Sequence, residues 1–320
     1  MAQKNARDYV SEKTFTREFL RQFNLSTFRT VSPWVAWMNL EAYFRIIRPI
    51  VCIQVAALAI VGSILTAKGL PESLTLVKSF SSAFLLAASI HTSNDYIDYE
   101  IDSVNTPWRP IPSGKMSRSE ALYYAFALGL LGLTISLSLS PLAAMLAVLI
   151  FALTNYYSIK AKVYGFIGHV IVAFCYASYF LLGALNVTAQ IEPYIINIYA
   201  LSVIYILAGE IIQSIADAEG DKIRGVKTIA LTNGPKTAAI IASACYISMS
   251  VLGAYTIIQF GTSFEPLIAA VIIICTCLFV GIITLPLLMN PEKEVAFNTR
   301  NRLNTMGLVL ILGFLVYLLV

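Results

Sequence analysis

The chain has 320 residues, 58% hydrophobic and only 12% charged, with 22 Lys and Arg against 18 Asp and Glu. A water-soluble domain carries about 25% charged residues. This composition, with a mean hydropathy of +0.75, therefore excludes a soluble fold and indicates a polytopic membrane protein. The net charge of +4 is too modest to point to nucleic acid.

In residues 1–43, Lys4, Arg7, Lys13, Arg17, Arg21 and Arg29 interleave with Phe19, Leu20, Phe23, Leu25 and Phe28. Such a segment either lies on the lipid surface as an amphipathic helix or forms a solvated tail. It has no short apolar core behind a basic start, so no cleavable signal peptide is expected. From residue 44 onward we expect one transmembrane domain, 44–320. Nine apolar runs fall near 46–67, 77–97, 118–137, 141–159, 164–187, 194–216, 236–258, 265–288 and 303–320. Each approaches the roughly 20 residues needed to cross about 30 Å of hydrocarbon. Lipid admits only helices and closed barrels, so the expected fold is all-α with nine transmembrane helices. The five cysteines all lie in apolar runs. They read as small hydrophobes rather than disulfides or metal ligands.

All the Lys and Arg except Lys68 and Lys78 fall in the tail or in alternate loops on one side. The excess of basic residues places that side, and the N-terminus, in the cytoplasm. An odd number of spans then puts the C-terminus outside.

The stretch Asn94–Gly114, NDYIDYEIDSVNTPWRPIPSG, ends the second run on the cytoplasmic side. Helical steps of four place Asn94, Asp98 and Asp102 on one stripe, with Asp95 a step of three from Asp98 and Glu100 a further acid in the same segment. Pro107, Pro110 and Pro112 forbid helix, and Ser113-Gly114 closes a turn. A row of hard oxygen ligands at a helix end invites a hard cation such as Mg²⁺. Ionisable groups at membrane depth default to function. The sixth run ends the same way, in GEIIQSIADAEGDKIRGVKT. There Glu210, Gln213, Asp217 and Asp221 share a face. Two acidic ends, four spans apart and each followed by a basic loop, suggest two related halves.

Facing rows of carboxylates repel unless something cationic sits between them. Mg²⁺ takes a few carboxylates together with phosphate oxygens. Arg109, Lys115, Lys160, Lys162, Arg224 and Lys227 lie on the same side to hold phosphates. Metal, diphosphate and an apolar interior together point to a long isoprenyl diphosphate. Its allylic C–O bond ionises as the departing charge is neutralised. A dry pocket protects the carbocation from water, and Tyr96, Tyr156 or Tyr157 can stabilise it through the ring face.

The run Asn94-x3-Asp98-x3-Asp102, followed by Asn105-x-Pro107-x-Arg109-Pro110-Ile111-Pro112-Ser113-Gly114, resembles the first signature of the UbiA-type intramembrane prenyltransferases. Asp217-x3-Asp221 with Gly225-Val226-Lys227-Thr228 resembles the second. Tyr157-Ser158-Ile159-Lys160 is similar to the family's Tyr/Lys loop. The resemblance implies nine helices around a central cavity, capped by the two motif loops. It implies that Asn94, Asp98, Asp217 and Asp221 bind Mg²⁺–diphosphate, with Asp102 near, and that Arg109, Lys160 and Lys227 contact phosphate. Lys115, Tyr157, Glu210 and Gln213 complete the candidate substrate contacts. RPIPSG, Glu210-Ile211-Ile212 and Asp217-x-Glu219-Gly220-Asp221 are most similar to the archaeal digeranylgeranylglyceryl phosphate synthase branch. That branch implies geranylgeranyl transfer to a glycerol phosphate ether lipid. The first motif is also similar to chlorophyll synthases, so a tetrapyrrole or aromatic quinone precursor is the alternative acceptor. Gly209 and Gln213 depart from the archaeal pattern, which carries Arg and Lys there, and Gly168-His169 departs from the family's frequent Gly-Asn.

A cation-coupled transporter is the rival of another class, although transporters place their sites near the midplane on broken helices. Glu210 alone, deeper than the other acids, fits that rival better. A lipid-binding scaffold has no need of two acidic clusters. His91 and His169 read first as packed, hydrogen-bonded histidines, with acid–base work as the alternative. The sequence leaves the oligomeric state open.

Overall fold

The computed structural model describes residues 33–223, 225–260, 281 and 284–319. The basic–aromatic segment in the first 32 residues and most of the eighth run lie outside them. Among the described residues every regular element is helical. Helix α1 spans Pro33–Ile46 and α2 spans Pro49–Ala67; α3 is Ser73–Ile97 and a short α4 is Tyr99–Asn105. Next come α5, Arg118–Leu137, and α6, Pro141–Ile159. A 3₁₀ turn, Ala161–Tyr164, leads into α7, Phe166–Leu185. Helix α8 is Pro193–Ala216, followed by two short helices, α9 (Ala218–Ile223) and α10 (Ile229–Thr232). Helices α11, Pro235–Phe260, and α12, Lys293–Leu319, complete the described fold.

Seven of these helices are long and apolar enough to cross a membrane: α2, α3, α5, α6, α7, α8 and α11. Their ends follow local chemistry. Arg48 sits in the left-handed region (φ 52°) before Pro49, which opens α2 at its first position. A residue before proline is disfavoured in the right-handed helical region. The chain therefore breaks at Arg48, and the first span begins at 49 rather than 46. Ser117 and Glu120 form a reciprocal capping box at the start of α5. The Ser140 hydroxyl accepts from the Ala143 N–H to start α6.

A second expected boundary needs a larger correction. Helix α12 begins at Lys293, ten residues before the expected span start at 303. Arg300 and Arg302, expected in a loop, are helical. The first turns of α12 are polar on one side and bury Ala296 and Leu303 on the other. A search for continuous hydrophobicity misses a half-buried helix of this kind.

The helices pack around two main apolar clusters, with a small third one of Val61, Phe180, Ala184 and Ile195 joining α2, α7 and α8. Buried apolar residues of α1–α3 and α5–α7 form the larger cluster, and those of α8 and α10–α12 form the second. The most extensive helix pairs are α3 with α5, α8 with α11, and α2 with α7; α12 touches both α8 and α2. Large apolar side chains such as Phe126, Met145 and Val251 face outward, where lipid replaces water as their solvent.

At the α2–α7 crossing small residues bring the backbones together. A Cβ built on Gly183 would lie 1.8 Å from the Ala59 carbonyl oxygen, and one on Gly62 2.0 Å from that of Phe180. The Ser63 hydroxyl donates to the Gly183 carbonyl at 2.9 Å. Gly183→Ala must push these helices apart. It is expected to cost about 3 kcal/mol, the upper end for overpacking, read as a lowered Tm in detergent.

Candidate active site

The two acidic motifs share one backbone design. Helix α3 ends at Ile97 and α8 at Ala216, and an aspartate forms each break: Asp98 (φ −81°, ψ 6°) and Asp217 (φ −93°, ψ 3°). The Asp98 N–H donates to the Asn94 carbonyl at 2.8 Å, and the Asp217 N–H to that of Gln213 at 2.9 Å. One step on, the Asp102 N–H donates to Asp98 and the Asp221 N–H to Asp217, again at 2.8 and 2.9 Å. Asn94, Asp98 and Asp102 thus correspond position by position to Gln213, Asp217 and Asp221. Each long helix points its carbonyl end, the negative end of its dipole, at the aspartate-bearing break. That field favours a cation.

The first motif is buried and internally neutralised. Asp95, 3% exposed, receives Arg48 Nη2 at 2.5 Å and Arg109 Nη1 at 3.2 Å. Arg109 also pairs with Asp102, which takes the Thr106 hydroxyl at 3.0 Å. Asp98 receives Lys162 Nζ at 2.7 Å. The Asn94 side-chain amide donates to the Ser158 hydroxyl at 2.8 Å, which leaves its carbonyl oxygen as a candidate ligand. The three aspartates are therefore held by Arg48, Arg109 and Lys162. Breaking one partner out of a buried pair leaves an uncompensated charge. Arg109→Ala is expected to cost roughly 3 kcal/mol through the loss at Asp102, with Asp95 still held by Arg48. Denaturation in detergent measures it.

The second motif is more open. The Gln213 amide donates to Asp217 Oδ2 at 2.7 Å. A cavity of about 720 Å³ lies there, lined by Gln213, Asp217, Glu292, Lys293 and Phe297. Lys293, at the start of α12, pairs with Glu219 at 2.7 Å. The Lys293 ammonium holds the Glu219 carboxyl below its ordinary value.

The 160–165 connection joins the motifs. Its Lys162 reaches Asp98, and the Lys227 N–H donates to the Val163 carbonyl at 3.4 Å. Gly165 (φ 56°) lies against the second motif loop; a Cβ there would fall 1.8 Å from the Lys227 carbonyl oxygen. Tyr157 packs its ring against Gly168 in the first turn of α7. Lys160, between Tyr157 and Lys162, caps the C-terminus of α6. Both motif loops thus meet one short segment at one end of the bundle. The Lys68–Glu192 pair sits at the opposite helix ends.

Other predicted residues are placed as follows. Lys227 is exposed. Lys115 lies 3.9 Å from Glu41, both well exposed. Glu210 is paired with Arg300 of α12 at 3.1 Å. His91 Nε2 lies 3.5 Å from the Tyr176 hydroxyl, in a packed setting. Trp108 is exposed, in the proline-rich loop. The structure does not gather three Asp, Glu, His or Cys side chains around one point among the described residues. Sequence reasoning missed Arg48, Ser158 and Arg300 as partners. Arg48 had a signal, a cation directly before a span-opening proline; Arg300 had none, because its partner is 90 residues away.

The profile of the UbiA prenyltransferase family matches residues 55–304. The chain belongs to the UbiA prenyltransferase family. It is 34% identical over 231 residues to a digeranylgeranylglyceryl phosphate synthase of Thermococcus kodakarensis, covering 70% of this chain and 80% of that one. The corresponding Pyrococcus abyssi protein is 36% identical over 236 residues, covering 72% and 78%. Among solved structures, one concerning digeranylgeranylglyceryl phosphate synthase in membranes superposes with a TM-score of 0.70 at 28% identity, covering 87% of this chain and 98% of that one. A UbiA homologue from Archaeoglobus fulgidus bound to DMAPP and Mg²⁺ shares the fold, with a TM-score of 0.67 at 19% identity, covering 85% and 98%. As a UbiA prenyltransferase the chain is a multi-pass membrane enzyme, which sets aside the transporter and scaffold readings.

Proposed function

We infer that this enzyme transfers a geranylgeranyl group from its diphosphate to geranylgeranylglyceryl phosphate, with Mg²⁺. The observation that carries the reading is the repeated aspartate break of α3 and α8, both tied to the 160–165 connection. The donor set suits the ion. Mg²⁺ takes a few carboxylates with substrate phosphates and water, and hard oxygens at two helix carbonyl ends meet that need. Asn94, Asp98, Asp217 and Asp221 would hold it. Bound there, it would supply the positive charge that neutralises the leaving diphosphate.

The remaining work belongs to the side chains. Lys162 is parked on Asp98 and is placed to turn to the diphosphate oxygens when Asp98 engages the ion, while Arg109, held by Asp95 and Asp102, adds charge beside it. Lys160 and Lys227 add charge at the same rim, and Lys115 and Gln213 line its approach. Buried apolar helix faces exclude water from the ionising allylic carbon, with Tyr157 near the rim. The hydroxyl of the acceptor then attacks that carbon.

Residues 44–320 form the transferase, with nine spanning helices around a central cavity, and residues 1–43 form a cytoplasmic tail. The basic-residue bias puts the motif loops in the cytoplasm and the C-terminus outside.

Purified protein given radiolabelled geranylgeranyl diphosphate and a panel of acceptors tests this. Product is expected with the glycerol phosphate ether lipid and to vanish with chelator, returning with Mg²⁺. Transfer only to tetrapyrrole or quinone precursors contradicts the acceptor; turnover unchanged by chelator contradicts the ion.

A further inference from the structure

Prenylating a hydroxyl releases a proton, and the two aspartate motifs, engaged with metal and diphosphate, are poorly placed to take it. His169 is placed otherwise. It lies in the first turn of α7, its N–H donating to the Gly165 carbonyl at 3.1 Å. The preceding connection holds Asp98 through Lys162 and rests on the Lys227 carbonyl at Gly165. His169 therefore enters the bundle just inside the segment that both motifs share. Its side chain is 12% exposed. Both ring nitrogens are buried without a hydrogen bond. Nδ1 faces Glu210 Oε2 at 3.8 Å, and the other Glu210 oxygen takes Arg300 Nη2 at 3.1 Å.

Buried polar atoms are nearly always satisfied. An imidazole with Nε2 unpartnered and a carboxylate behind Nδ1 has the layout of a general base oriented by an acid. Such contacts are often long before substrate binds.

We propose that His169 is the catalytic base for the acceptor hydroxyl, and that Glu210, fixed by Arg300, is its positioning residue. This rests on the reading that the acceptor is an alcohol. The acceptor oxygen bonds to the allylic carbon and the bond from that carbon to the diphosphate oxygen breaks. The hydroxyl proton passes to His169 Nε2, and diphosphate leaves with the bonding pair.

The test compares His169→Gly, His169→Gln and Glu210→Gln with wild type in detergent. His169→Gly is expected to transfer about 10²-fold more slowly, with unchanged affinity for geranylgeranyl diphosphate and Mg²⁺. Added imidazole should restore at least part of that loss in His169→Gly and do nothing for Asp98→Ala. Glu210→Gln should lower kcat with little change in either KM. His169→Gln, closer in shape, serves as the folding control and should be as slow as His169→Gly. Transfer near wild-type rates in either His169 variant overturns the proposal, as does a slow, folded His169→Gly that imidazole cannot rescue. Wild-type protein silent with every hydroxyl acceptor would instead overturn the function on which the proposal rests.

Discussion

Asp98→Ala or Asp217→Ala is expected to reduce prenyl transfer by about 10³-fold or more, because each removes a ligand for the Mg²⁺ that would neutralise the departing diphosphate. The effect should be on chemistry rather than folding. Asp98 caps the break of α3 through its backbone N–H, a bond that alanine keeps. Its partner Lys162 is one-quarter exposed, so the freed ammonium reaches water. Gln213, the partner of Asp217, is at an open position. The measurement is labelled product per unit of enzyme that elutes as a single folded species. Full activity in both variants would refute the site. Activity lost in one variant alone would refute the equivalence of the two breaks.

Gly165→Ala is expected to be nearly as damaging, although the residue bears no functional group. Its backbone (φ 56°, ψ −106°) lies in the mirror-image β region, which glycine adopts readily and a residue with a Cβ does not. The larger penalty is steric. A methyl 1.8 Å from the Lys227 carbonyl oxygen cannot coexist with the present loop contact. Either the 226–228 segment of the second motif or the 160–165 connection must move. A displacement of about 1 Å at a reacting site costs on the order of 10²-fold in rate. Transfer should fall by that factor while the bundle, packed elsewhere through α3–α5 and α8–α11, still melts cooperatively. Wild-type turnover in Gly165→Ala would show that the contact between the loops is irrelevant to catalysis.

The limits of sequence reading are visible in these residues. The starts of α5 and α6 fall at the expected 118 and 141, where the apolar runs begin and where the structure shows Ser117 and Ser140 as caps. The stripe Asn94–Asp98–Asp102 was legible because a helical period fixes a shared face. The conformational break at Asp98 and Asp217 was not, since spacing reports a face and not where a helix stops. The ion pairs were not legible either. Arg48 with Asp95, Lys162 with Asp98 and Arg300 with Glu210 span 47, 64 and 90 residues. A local pattern identifies a charge in need of a partner but not which partner the fold delivers. Glu210 illustrates this: an isolated acid in an apolar run looked like a substrate contact, and the fold ties it to α12. The same blindness set α12 too short, because its first turns are apolar on one side only.

The most direct measurement is a double-mutant cycle on binding of an unreactive geranylgeranyl thiolodiphosphate with Mg²⁺, using Asp98→Ala, Asp217→Ala and the pair. If one metal–diphosphate unit joins both helix breaks, either substitution alone should remove most of the Mg²⁺-dependent affinity, and the pair should lose little more than each single. Losses that simply add, or an affinity that ignores one of the two aspartates, would contradict a shared site.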